Sequence, residues 1–252
     1  MTGTLLYNGA MKLVLDPHTH TIASGHHTTD TATDLFRAAS ARGLALLAVT
    51  DHSPSMEGSA GESYFRGLSG SPPVRFGVRA LYGVEADILN EKGELGLPVS
   101  VLARMQIVIV SQHTVCMQSL GRDGNTAAVT AAVRSGYADI VGHPDDEKFP
   151  LDADRLTDAC AECGVMIELN NASLAPDGYR GNAAPRDREL LSLCRKKGVF
   201  VSVGSDSHGA RLVGQFPYAL ALLEETHFPA ELVANTSVEK FLSILRQHKR
   251  AV

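Results

Sequence analysis

The chain has 252 residues, 44% of them hydrophobic and 20% charged, which is ordinary for a globular protein and leaves ample material for a core. Its net charge of -5, with no basic run, excludes nucleic acid as a partner inferred from charge. No apolar stretch reaches the length of about 20 residues that crosses a bilayer, so no membrane association is expected. Residues 1–11 lack the basic start and long apolar segment of a secretory signal. They read as an N-terminal extension, with Met11 an alternative start, ahead of one domain over residues 12–252.

The first strand is the short apolar run 13–15, which ends in Asp16-Pro17-His18-Thr19-His20. Histidines at i and i+2 on a strand share a face, so both imidazoles can reach one ion. A helix follows over 31–42, with Leu35, Phe36 and Ala39 on one face and Gly43 as its stop. The continuous apolar run 44–49 ends in Thr50-Asp51-His52 and has the two-sided character of a strand in a covered parallel sheet. Residues 53–78, rich in Gly, Ser and Pro, read as a long functional loop.

Later apolar runs end the same way. Run 81–84 leads to Glu85, 107–110 to His113 and 139–141 to Gly142-His143-Pro144. Run 165–169 leads to Asn170-Asn171, and 199–203 to Ser205-Asp206-Ser207-His208. Helical patterns lie at 126–135, 152–163, 185–197, 213–225 and 238–248, the last capped by Ser237 with Lys240 in place of the usual acidic third residue. Seven strands alternating with helices imply a parallel sheet, and polar residues at the strand ends point to a barrel whose site lies at those ends.

Four cysteines are too few for a disulfide framework and suit a reducing compartment, so a cytoplasmic location is expected. Cys160 and Cys163 form C-x-x-C inside a helical pattern without a second pair, and read as buried apolar residues. On the predicted active face stand His18, His20, His52, Glu85, His113, His143, Asp206 and His208, with His26 close enough to fold back. His27, His227 and His248 are left over, the last two as surface residues of the C-terminal helices. So many neutral imidazoles in one place leave lone pairs unsatisfied unless a cation accepts them. Nine ligands exceed one tetrahedral zinc, so the site is expected to hold two or three ions.

H-x-H-T after the first strand, T-D-H after the second, G-x-E after the third, and later G-H-P and S-D-S-H together resemble the PHP family, named for polymerase and histidinol phosphatase domains. The resemblance runs from about residue 12 to the C-terminus and is strongest to small single-domain phosphatases with a trinuclear zinc site. It implies an α/β fold, a distorted (β/α)7 barrel of TIM-barrel type. It also implies three metal positions: His18, His20, Glu85 and Asp206; Glu85 as a bridge with His113 and His143; and His26, His52 and His208. Zn2+ is the expected ion, with Mn2+ or Fe2+ as alternatives. Pro17 stands where an apolar residue is usual, and His27 beside His26 leaves the register of that ligand open by one residue.

The expected reaction is hydrolysis of a small phosphomonoester by metal-activated hydroxide, with His18, His20, Glu85 and Asp206 at its centre. Asp51 is read as structural. Arg180, in a loop at 172–185 without apolar period, is the first candidate for a phosphate contact, ahead of Arg66, Arg75, Arg79 and Lys148. Amide hydrolases and deaminases on similar barrels often use a bridging lysine, and no lysine stands at a strand end here. A histidinol-phosphate phosphatase, a phosphodiesterase and a non-catalytic metal-binding accessory domain remain alternatives, and a homo-oligomer stays open.

Overall fold

The computed structural model describes residues 11–249, so nearly all of the expected N-terminal extension lies outside the described residues. The first half runs β1 (Leu15–Asp16), β2 (Thr19–His20), α1 (Ala32–Ala41), β3 (Leu46–Val49), α2 (Glu62–Gly67), β4 (Val74–Arg75), β5 (Val78–Tyr82) and β6 (Val84–Asp87). It continues with α3 (Val99–Leu102), β7 (Val108–Ser111), α4 (Gly121–Arg134), β8 (Ile140–Val141), α5 (Ala153–Cys163) and β9 (Met166–Asn170). The last part holds α6 (Ala183–Lys197), β10 (Val201–Gly204), β11 (Ser207–His208), α7 (Pro217–Glu225) and α8 (Val238–Lys249).

The strands form a sheet in the order β1-β3-β5-β4, a second in the order β10-β9-β8-β7-β6, and a short ladder between β11 and β2. All pairings are parallel except β4 with β5. The two larger sheets meet at Gly83, between β5 and β6. Gly83 donates to Val49 O on one side (2.9 Å), and the next residue, Val84, donates to Ile107 O on the other (3.2 Å). A Cβ at Gly83 would collide with that Ile107 carbonyl, so the strand can change partners here only with glycine. On the far side, the buried Asn235 side chain stands between β1 and β10. It accepts from Val203 N (2.7 Å) and donates to Leu15 O (3.2 Å) and Val203 O (2.8 Å).

Alternate residues of the strands go to different cores, as the period of two requires. Leu15, Leu46, Ala48, Leu81, Ile107, Ile109, Ile140 and Met166 form one buried cluster with Phe241, Ile244 and Leu245 of α8. Leu47, Val49, Val108, Val110, Val141, Ile167, Val201 and Val203 belong to the other, packed with α1, α4, α5 and α6. One core therefore lies between the strands and helices α1, α4, α5 and α6, and α8 packs into the other.

Several expected boundaries move. The run expected at 81–84 divides into β5 and β6, so Glu85 lies inside a strand. The long loop 53–78 carries α2 and the edge strand β4. Helix α4 starts at Gly121, five residues early, because Asn125 accepts from Leu120 N (2.8 Å) and fixes a polar first turn without apolar period. Helix α7 starts at Pro217, since Gly214 with φ +68 interrupts the apolar pattern from Val213. Ser237 caps α8 as expected, accepting from Lys240 N (3.2 Å).

Candidate metal centre

His18 and His20 flank Thr19 where β1 passes into β2. The β2–β11 ladder fixes them against the end of the chain: Asp206 N donates to His18 O (3.0 Å) and Gly209 N to His20 O (3.1 Å). Two residues here hold left-handed backbones unusual for side-chain-bearing residues, Asp206 at φ +51 and His143 at φ +28. Such conformations persist only where the surroundings enforce them, and both side chains are turned into the same cluster.

Glu85 is the hub. Its Oε1 lies 2.9 Å from His143 Nε2 and 3.4 Å from His113 Nε2. Its Oε2 lies 2.8 Å from His52 Nδ1, 3.4 Å from His18 Nε2 and 3.5 Å from His20 Nε2. Asp206 closes the other side, with Oδ1 at 3.2 Å from His20 Nε2, 3.7 Å from His18 Nε2 and 3.8 Å from His208 Nδ1. His26 joins through Nε2, 3.2 Å from His208 Nε2, and its ring is stacked 4.9 Å from that of His52. His27 stays exposed, with an edge contact to His26, and His227 is exposed after α7. His248 lies within α8. Three subsets have ligand atoms mutually within 4.8 Å: His18, His20 and Glu85; His52, Glu85 and His113; and His20, His52 and His208.

A further layer of buried groups sets the ring orientations, and of its carboxylates only Asp51 stands out in the sequence. His18 Nδ1 lies 2.6 Å from Glu168 Oε1, while Glu168 Oε2 accepts from His143 N (2.8 Å) and Asn170 Nδ2 (3.0 Å). His113 Nδ1 lies 2.7 Å from Asp87 Oδ1, and Asp87 also accepts from Ser53 and Ser55. His20 Nδ1 meets Ser24 Oγ (2.9 Å), which donates to Asp51 (2.8 Å), and Asp51 also accepts from Tyr64 Oη (2.6 Å). Asp51 thus has the structural place expected of it. A carboxylate bound to Nδ1–H holds the tautomer with the Nε2 lone pair directed into the cluster. The available signal was an acid within an apolar strand: Glu168 interrupts β9 and Asp87 ends β6.

Charges in the cluster are pulled far apart. Burial opposes protonation of His18, yet Glu168, Glu85 and Asp206 outweigh it and hold its pKa well above the usual range. Burial likewise opposes protonation of His113, and Glu85 and Asp87 reverse this to about 10. Burial together with His208 and His52 drives His20 well below its ordinary value, and burial with the neighbouring imidazoles lowers His26 to about 4. Burial disfavours the charged forms of Glu85 and Asp206, but surrounding imidazoles, and Arg180 beside Asp206, hold both well below the carboxylate range.

Four buried atoms at the centre, His18 Nε2, His20 Nε2, His52 Nδ1 and Glu85 Oε2, crowd against one another and Asp206 without forming a hydrogen bond of proper geometry. Buried polar atoms without one are rare in folded proteins, and here all four are donor atoms suited to a divalent ion. The residues fit a metal.

Arg180 is buried rather than solvated. It donates to Asp206 Oδ2 (2.8 Å) and reaches Asn170 Oδ1 (3.4 Å) and Ser173 Oγ (3.3 Å). Of the weaker candidates, Arg66 pairs with Glu62, Arg75 lies over the Phe36 ring and Arg79 is on β5, whereas Lys148 lies over Tyr179 next to Arg180. Cys160 is a free, buried core residue, and no cysteine enters a metal-competent group among the described residues.

Fold and cluster together define an α/β protein of parallel sheets with a buried imidazole–carboxylate centre suited to divalent ions. The chain is 40% identical to a probable phosphatase of Acetivibrio thermocellus over 96% of its own length and 99% of that protein's. It is 36% identical to a probable phosphatase of Proteus mirabilis, covering 93% and 94% of the two chains. It belongs to this family of probable phosphatases. No family model matches. Among solved structures, the fold is similar to histidinol phosphate phosphatase of Lactococcus lactis complexed with zinc, L-histidinol and phosphate (TM-score 0.62, 17% identity, 85% and 94% of the two chains). It is also similar to a chain of archaeal ribonuclease P with mature tRNA (TM-score 0.56, 16% identity, 94% and 92% of the two chains). The same architecture therefore serves unrelated tasks, and the site carries the functional argument.

Proposed function

We propose that this chain is a metal-dependent phosphatase of the PHP type that hydrolyses a small phosphomonoester. The observation that carries this reading is the set of buried donor atoms without a proper hydrogen bond on His18, His20, His52 and Glu85, within a chain whose relatives are named probable phosphatases. His18, His20, Glu85 and Asp206 would hold one ion, Glu85 with His113 and His143 a second, and His26, His52 and His208 a third, with Zn2+ expected. The contacts of Glu85 with five imidazoles support its bridging part.

Bound ions would supply positive charge for the phosphoryl oxygens and acidify a water enough for it to serve as nucleophile. The chain's own residues do the rest. Glu168 and Asp87 keep the Nε2 lone pairs of His18 and His113 directed inward. Asp206 anchors Arg180, which contributes a fixed cation beside the cluster for the phosphate. The inner cluster shared by strands of both sheets, and the Asn235 seam between β1 and β10, support a distorted seven-membered barrel within one domain over 12–252. A cytoplasmic setting suits the free thiols of Cys116, Cys160 and Cys194.

The test is turnover of p-nitrophenyl phosphate with Zn2+ or Mn2+, with histidinol phosphate assayed alongside and metal content measured on the same samples. Hydrolysis lost together with bound metal in His113→Ala and Glu85→Ala is the expected result. Full activity in either variant overturns the ligand assignment. Metal bound without any turnover replaces the enzyme reading by that of an accessory metal-binding domain.

A further inference from the structure

We propose that Lys148 and Tyr179 form a recognition edge that selects phosphorylated substrates carrying a second anionic group, a carboxylate or a second phosphate. The inference rests on the phosphatase reading above and adds what the leaving group must look like.

Two loops build the edge. Lys148 follows β8 and the His143 turn; Tyr179 and Arg180 follow β9. Glu147 N donates to Arg180 O (3.0 Å) and the Glu147 carboxylate pairs with Arg186 of α6 (3.2 Å), so the first loop is tied to the second through the backbone and to the following helix through a side chain. Lys148 N donates to Asp146 Oδ1 (2.9 Å), which fixes the point from which the lysine side chain leaves.

Tyr179 is 64% exposed, a large share for an aromatic residue beside a buried cluster. Its ring has two cations against it: the Arg180 guanidinium carbon at 4.7 Å from its centroid and Lys148 Nζ at 4.2 Å. These cations are not equivalent. Arg180 is buried and committed inward, with Asp206, Asn170 and Ser173 on its donors. Lys148 is exposed, and among the described residues no carboxylate pairs with its ammonium. Lys197, by contrast, is held by Asp154 and Asp158, and the Lys240 ammonium by backbone carbonyls. In a chain of net charge -5, Lys148 is thus a positioned cation with its charge unanswered, one aromatic ring outward of a residue bonded to Asp206.

A phosphoryl group at the cluster would place the rest of a small substrate along this edge. An anionic substituent a few bonds from the ester would find Lys148 there, with Tyr179 as a flat wall holding the ammonium in place. A neutral leaving group gains nothing from it. The chemistry is shared by carboxylates and phosphates, so the experiment separates them.

The probes are butylphosphonate, 4-phosphonobutyrate and butane-1,4-bisphosphonate, bound to the metal-loaded enzyme and followed by calorimetry, so that the readout does not depend on turnover. The expected result is that one or both doubly functional ligands bind about five-fold tighter than butylphosphonate, the scale of one partly exposed ion pair. Lys148→Ala should abolish that ratio and Lys148→Glu invert it, while Lys196→Ala on exposed α6 keeps it. A preference for 4-phosphonobutyrate alone assigns a carboxylate, and for the bisphosphonate alone a second phosphate. Equal affinity for all three ligands, or a preference that survives Lys148→Ala, overturns the proposal. Hydrolysis of p-nitrophenyl phosphate on the same samples reports separately on the phosphatase reading.

Discussion

Replacing Glu168 with glutamine tests how the site is held together. Glu168 accepts on both sides: Oε1 faces His18 Nδ1, and Oε2 takes His143 N and Asn170 Nδ2. A glutamine of the same shape must present an NH2 to one of those sides. Either His18 loses its acceptor, or two donors face a third inside the protein. One buried unsatisfied donor costs about 1–3 kcal/mol. At about 2–4 °C per kcal/mol for a domain of this size, the metal-free variant should melt roughly 2–12 °C lower. The second consequence concerns ions. With no carboxylate on Nδ1, the His18 tautomer is no longer enforced, and loss of such a partner lowers metal affinity by about 10–100-fold. Differential scanning calorimetry of the chelated protein and zinc titration against a competing chelator measure the two effects separately. A Glu168→Gln protein with unchanged melting temperature and unchanged zinc affinity would refute this account.

Asn235→Ala should be among the most destabilising substitutions outside the site, by about 2–4 kcal/mol, because it strands Val203 N and the carbonyls of Leu15 and Val203 at the seam. Urea unfolding checks this, and a midpoint like that of the parent chain would contradict the role given to the seam. Tyr64→Phe removes one of the donors to Asp51 and should cost about 1.5–3 kcal/mol, with weaker zinc binding because Asp51 steadies His20 through Ser24. Unchanged values for both would detach α2 from the site. In the metal-free fold His18 and His113 are raised, so the stability they contribute is complete below about pH 6.5 and is lost as pH rises through their folded values, about 10 for His113. Zinc needs the neutral rings, so uptake at pH 8 should release protons, that of His113 with its folded value of about 10 among them, into a weakly buffered indicator solution. Binding without proton release would show that these imidazoles were neutral or are not ligands.

Much of this was legible in the chain itself. The alternation of apolar runs with helical periods, and the acids and imidazoles at the run ends, come from local rules of period and strand termination, and they named the members of the cluster. Ser237 was legible as a cap for the same reason. Where the rules of period lapse, the reading missed structure: α2 and β4 in the Gly-rich stretch, the polar start of α4, and the strand that Gly83 divides between two sheets. Arg180 was located by sequence, yet its burial against Asp206 was not.

The sequence by itself determined which side chains could serve as ligands and which apolar runs most of them follow. Only the tertiary structure decided which of them meet. It set Glu85 among five imidazoles, brought His26 Nε2 against His208, and put Glu168 behind His18 across 150 residues of chain. A residue's type and its period are local properties, whereas which lone pair faces which proton depends on how distant strands close around the same core.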